Sequence, residues 1–196
     1  MASSFTNDLR LEEIASGEQS GTWGDTTNTN LELIAEAFSY GTQNCFSSDA
    51  NATTTVADGA ADPARAMYFK ITSSATLSTT RVLTIAPNTV SRVMIIENAT
   101  TGSQIITIKQ GSGNTVNVGN GAVKVLYLDG AGAGAAVQDA LVDLDLTGTT
   151  SAVNLDISGN IDVDGTTNLD AVDIDGAVQI DSTVTVGVDD TGYDVK

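Results

Sequence analysis

RVLTIAPNTVSRVMIIENATTGSQIITIKQ, Arg81 to Gln110, is the stretch that decides the fold. Its runs RVLTI, RVMIIEN and QIITIKQ are rich in Val, Ile and Thr, and apolar residues partly alternate with polar ones. That combination suits a pleated, half-buried strand. NATTG, between the second and third runs, carries the Asn and Gly of a turn. The same pattern extends outward in both directions. MYFKI precedes it, and TVNV and AVKVLYL follow, separated by the turn signals QGSGN and GNG. Residues from about 66 to 128 thus make about six short strands with short links. Short links between consecutive strands predict antiparallel pairing, and regular short strands predict a small antiparallel β-sandwich. GSGNTVNVGNG (Gly111–Gly121) has glycines but no Gly-Lys-Ser/Thr ending and no following helix, so a hairpin turn is expected rather than a phosphate loop.

Upstream, residues 42–65 read as loop. A short helix is expected at about 30–40. Thr29 and Glu32 have capping-box spacing, and Leu31, Ile34, Ala35 and Phe38 form one apolar stripe. Gly41 stands where a left-handed C-terminal residue fits. LRLEEIA (Leu9–Ala15) has the composition for a turn or two of helix. The remainder of residues 1–28 is polar and irregular, an arm expected to be mobile or laid along a partner. It holds the only tryptophan, Trp23, between Gly21 and Gly24. An aromatic ring in extended polar chain suits an anchor in a pocket on another protein. Thr22, Thr26, Thr27, Asn28 and Asn30 could bond a partner's backbone.

Downstream, DGAGAGAA (Asp129–Ala136) lacks side chains large enough to anchor a core and predicts a linker. From Leu144 a motif recurs: apolar, Asp, apolar, polar, Gly. It occurs at Leu144–Gly148, Leu155–Gly159, Ile161–Gly165 and Val172–Gly176, with a worn copy at Val184–Gly187. Each unit predicts one short strand and a turn. Its inward positions are Leu144, Leu146, Leu155, Ile157, Ile161, Val163, Val172, Ile174, Val184 and Val186. A stripe that narrow cannot be covered by one chain, so burial against other copies is expected, most simply three around an axis.

Charge follows the same division. The chain carries 25 acids and 8 bases, a net −17. Residues 141–196 hold twelve Asp and one Lys, or −11; residues 1–140 hold thirteen acids and seven bases, or −6. Duplex nucleic acid and anionic membrane are disfavoured as partners. No run approaches the roughly 20 apolar residues of a membrane span, and no membrane insertion is expected. The first residues lack a basic start and an apolar run, so synthesis in a cytoplasm is expected.

Histidine is absent and Cys45 is the single cysteine. Ser/His and Cys/His nucleophile pairs and Cys/His zinc sites cannot be assembled within one chain. Cys45 is expected to be an inert buried thiol. Asn51 and Asn98 begin Asn-Ala-Thr triplets and are read as loop residues. The Asp array could suggest calcium, but DVDGTTN lacks the terminal Glu of an EF-hand loop, and a solubilising outer face explains it better. No two carboxylates stand apart as an acid/base pair. No enzyme, metal or cofactor is expected.

SGEQSGTWGDTTNTNLELIAEAF (Ser16–Phe38) resembles the N-terminal region of tail fibre proteins of marine bacteriophages, including those of cyanobacterial hosts. NLDISGNIDVDGTTNLDAVDIDGAVQID (154–181) and the ending GVDDTGYDVK are similar to their shafts. The resemblance implies a homotrimeric virion protein whose N-terminal region binds a tail adaptor, nozzle or baseplate, while distal parts meet the host surface. Carried onto this chain, the attachment residues are Ser20, Gly21, Thr22, Trp23, Gly24, Asp25, Thr26, Thr27, Asn28, Thr29, Asn30 and Leu31, with Trp23 as anchor.

The expected architecture is therefore mainly β. A tail-attachment arm with a short helix (1–45) leads to an antiparallel β-domain (46–140) and a repetitive trimeric β-shaft (141–196). A polysaccharide-degrading tailspike and a calcium-binding adhesin are the alternatives.

Overall fold

The computed structural model describes residues 2–142, 149–151, 157, 160, 161, 163–165, 167 and 174–181. The chain divides into two units, 1–147 and 148–196. The first unit is mainly β and includes the N-terminal segment. The expected boundary at residue 45 does not exist as a division, because it cuts through a strand.

That strand is β1 (Tyr40–Phe46), followed by β2 (Ala52–Thr55), β3 (Tyr68–Thr76), β4 (Arg81–Ala86) and β5 (Ser91–Thr101). Then come β6 (Ile106–Lys109), β7 (Val116–Val118), β8 (Val123–Asp129) and β9 (Val137–Asp139). One sheet has the order β1-β3-β5-β8-β9 and the other β2-β4-β6-β7. Successive strands from β1 to β6 alternate between the sheets. Each short link therefore leads to the opposite sheet, and the next strand in the same sheet runs parallel to the last. β1, β3 and β5 pair in parallel, as do β2, β4 and β6. The expected all-antiparallel pairing is wrong here. It holds only where the chain turns back, at β6–β7, β5–β8 and β8–β9. The sheets are mixed. Gly111–Gly121 does turn a hairpin, between β6 and β7.

Both sheets contribute to one core. Leu83 and Ile85 of β4, Ile106 and Ile108 of β6 and Val116 and Val118 of β7 point in from one sheet. Phe69 and Ile71 of β3, Met94 and Ile96 of β5 and Leu126 and Leu128 of β8 point in from the other. The two-residue period of the strand backbone is what aims these side chains inward. Asn98 continues the inward row of β5 and is fully buried. Its amide nitrogen donates to the Gln104 and Val118 carbonyls, both at 3.0 Å, and its oxygen accepts from the Thr100 amide and hydroxyl. It is not a loop residue, because its side chain replaces backbone partners that the sheets do not supply.

Residues 42–65 are not all loop. β1 is an edge strand, and β2 is the Thr-rich ATTT, whose β-branched side chains suit a strand despite their polarity. Gly41 lies in β1, not at a helix end. A Cβ there would stand 2.2 Å from the Pro63 carbonyl oxygen, so close backbone approach is what requires glycine. Asp129–Ala136 is no loose linker. Gly111 and Gly113 donate to the Ala135 carbonyl at 2.9 and 3.1 Å, and Ser112 to that of Ala133. Ala135 is buried. Small residues let two backbones meet there.

The N-terminal segment folds back on itself and onto the β-domain, contrary to the expectation of an extended arm. Ser4 and Glu13 bridge through their backbones. Asn7 exchanges hydrogen bonds with Leu11 at 2.8 and 2.9 Å, and Arg10 has a positive φ, so residues 9–15 form a turn and a bridge rather than a helix. Asn7, Ser4 and Thr6 donate to the Glu13 carboxylate and hold it below its ordinary range. Asp8 accepts from the Ser91 amide at 2.8 Å. Polar side chains here supply by hydrogen bonds the order that apolar burial supplies elsewhere.

Of the expected shaft positions, Leu144, Leu146, Leu155, Val172, Val184 and Val186 lie outside the described residues. Ile157, Ile161, Val163 and Ile174 are exposed and lie outside any helix or strand. The strands expected at these positions need a neighbour to complete a ladder, and the described residues of this single chain provide none.

Candidate functional site: an apolar helix face and the sheet it joins

The helix, α1, spans Trp23–Ala37 and starts seven residues earlier than the pattern predicts. Thr29 lies within it, so the expected capping box is not formed. The chain enters through Gln19 and Gly21, both at positive φ, which is where Gly21 is required. Tertiary contacts override the weak helix preference of DTTNTN. Thr26 donates to the Gln19 side chain. Asn30 donates to the Glu12 carbonyl at 2.9 Å and accepts from the Glu12 amide at 3.0 Å. Leu33 and Ala37 are buried. Residues 26, 30, 33 and 37 are thus the inward face.

Beside it runs an exposed face that takes three of the four residues of the predicted stripe, Leu31, Ala35 and Phe38, while the fourth, Ile34, is half-buried. Trp23 is 62% exposed, Leu31 59% and Phe38 70%. With exposed Thr27 and Ala35 they recur every three or four residues along one side. Of the twelve predicted attachment residues, Thr26 and Asn30 are committed to their own chain and Gly24 is half-buried. Ser20, Gly21, Thr22, Trp23, Asp25, Thr27, Asn28, Thr29 and Leu31 are exposed. The surroundings of Trp23 are helical, not extended.

Beneath α1 sits Arg65, whose side chain is fully buried. It donates to the carbonyls of Leu9, Ala57 and Ala60. Asp62 lies 3.3 Å away and Glu36, on α1, 3.4 Å. Arg65 Nε is within ion-pair distance of Glu36 without hydrogen-bond alignment. Arg92 donates to the carbonyls of Ala64, Arg65 and Ala66, and burial pulls its guanidinium down to about 10. These arginines fix the helix, the N-terminal segment and the 57–66 loop as one body. Glu36 and Asp62 line a 320 Å³ depression beside Gly41, and both carboxylates are engaged with Arg65.

Phe38 leads onto the outer face of the five-stranded sheet, which the sequence reading missed. A 440 Å³ depression is lined by Phe38, Ser39, Tyr40, Tyr68, Lys70 and Glu97. The Tyr40 and Tyr68 rings stack at 5.6 Å with 28° between planes. Lys70 and Glu97 pair at 2.8 Å, and Tyr68 donates to Glu97 at 2.9 Å. Lys70, then Tyr68, hold the Glu97 carboxyl below its ordinary range. Register continues the row from Tyr40 through Tyr68 and Ile95 to Val125, and the neighbouring row sets Val93 opposite Tyr127. The available signal was alternation: inward Phe69, Met94 and Leu126 force Tyr68, Val93 and Tyr127 outward.

No family model matches the chain, and neither a curated protein nor a solved structure does.

Burial pushes the Cys45 thiol up to about 12, the state of an unreactive thiol at neutral pH. Among the described residues no group of three or more metal-ligating side chains is present, and no helix is long and apolar enough to cross a membrane.

Proposed function

We propose that this chain is a structural virion protein, a segment of a homotrimeric phage tail fibre. Its helix face around Trp23 docks on a tail protein, and its Asp/Gly repeats begin a shaft directed toward the host. The observation that carries this reading is the exposed stripe Trp23–Leu31–Phe38. Large apolar side chains grouped on one helix face of an acidic molecule mark a surface meant to be covered. α1 is held rigidly by Arg65, so Trp23 is presented on a firm element. The exposure of Ile157, Ile161, Val163 and Ile174 supports burial of the repeats between copies.

The test uses the intact chain with Trp23→Asp and Leu31→Asp together. The double variant should keep the parent's oligomeric mass and fail to join particles that lack fibres. Joining at parental efficiency would refute the docking assignment.

A second reading, a polysaccharide-degrading tailspike, is favoured by one observation, the parallel winding of β1 to β6 through two sheets. Incubation with host capsule or lipopolysaccharide separates the readings, since only a tailspike releases reducing ends.

A further inference from the structure

The two sheets differ sharply on their outward faces. The four-stranded sheet presents mainly polar side chains: Thr53 lies opposite Thr84, which lies opposite Lys109, and Thr107 lies opposite Asn117, with Val82 the apolar member. Such a face is at ease in water. The five-stranded sheet presents Tyr40, Val93, Val123 and Tyr127, between 37% and 57% exposed. A sheet with one wet face and one core face has no reason to carry apolar side chains on its wet side. This face is therefore one that is covered.

Charge identifies what covers it. The chain is −17 overall, so two copies repel at most approaches. The middle rows of this face hold one lysine and one glutamate, Lys70 and Glu97, bonded to one another, and Asp129 stands at the end row opposite Ser91, its carboxylate taken by the Ala131 and Ala136 amides. Tyr68 completes the cluster. Copies meeting over these middle rows bring together no uncompensated charge. A foreign partner adapted to this acidic chain would seek an acidic handle, and the middle of the face offers none. We infer that the outer face of the five-stranded sheet is where copies of this chain pack together, with Val93 and Tyr127 near its centre. This inference rests on the homotrimer proposed above and assigns its contact surface.

The test begins with Val93→Glu and Tyr127→Glu together in the intact chain. Both side chains are exposed, so the variant should retain the parent's circular dichroism while its mass by light scattering falls to that of one chain. A trimer of unchanged mass overturns the assignment. If the double variant misfolds, thiol protection decides. In the parent assembly the Val93→Cys thiol should react with a maleimide about tenfold or more slowly than the Asn117→Cys thiol on the opposite sheet. Equal rates in a trimeric protein overturn the face alone. A parent chain that is monomeric overturns the trimer as well.

Discussion

The Arg65 guanidinium lies 3.4 Å from the Glu36 carboxylate, and no part of the Arg65 side chain reaches solvent. One buried cation thereby joins the candidate docking helix to the 57–66 loop and, through the Leu9 carbonyl, to the N-terminal segment. Truncating it removes the cation beside Asp62 and Glu36 and leaves three carbonyls without that donor. Breaking a buried pair in this way costs about 3–5 kcal/mol. Arg65→Ala should lower unfolding stability by that order, measured by urea titration, and render residues 1–22 sensitive to protease first. A loss below about 1 kcal/mol would show that the N-terminal segment and α1 are held by other means.

Asn98 is the polar counterpart inside the core. Replacing it with Ala leaves two carbonyls and the Thr100 amide and hydroxyl without partners in a dry place. The expected loss is about 2–3 kcal/mol, within the range for an unsatisfied buried group. An unchanged urea midpoint would contradict the burial.

Alternation in Arg81–Gln110 made β4, β5 and β6 and their inward residues legible, because period two is set by the backbone itself. The pairing direction was not legible. A link of a few residues can close a hairpin or cross to a second sheet, and composition does not distinguish the two. Helix α1 was legible only at Leu31–Phe38. Its first turns depend on Glu12 and Gln19, distant partners that no local pattern reveals. Of the predicted stripe, Leu31, Ala35 and Phe38 face outward and Ile34 is half-buried, since Leu33 and Ala37 take the inward side. β1 and β2 were hidden by their Thr, Asn and Gln content.

Asp49 reports on acid stability. Arg81 at 2.8 Å, and then Ser78, hold its carboxyl well below the ordinary range. The folded state therefore takes up this proton at lower pH than the unfolded state does. The contribution is complete above about pH 4 and is lost as pH falls below it. Asp49→Asn should flatten the acid limb of a stability–pH profile relative to the parent. An identical slope would show that the pair is not formed in solution.

Trp23 is the only indole, so its fluorescence is unambiguous. The free protein should emit as a solvent-exposed tryptophan and be readily quenched by acrylamide. Trp23→Ala should change unfolding stability by less than about 0.5 kcal/mol, as for surface positions generally. A shielded spectrum, or a large loss, would place the ring in the domain's own core.

The central claim is that three copies share what one chain leaves uncovered. The most direct measurement is the mass of the intact chain in solution by light scattering. The account predicts three times 20.1 kDa, independent of dilution through the micromolar range. A particle of 20.1 kDa would contradict it.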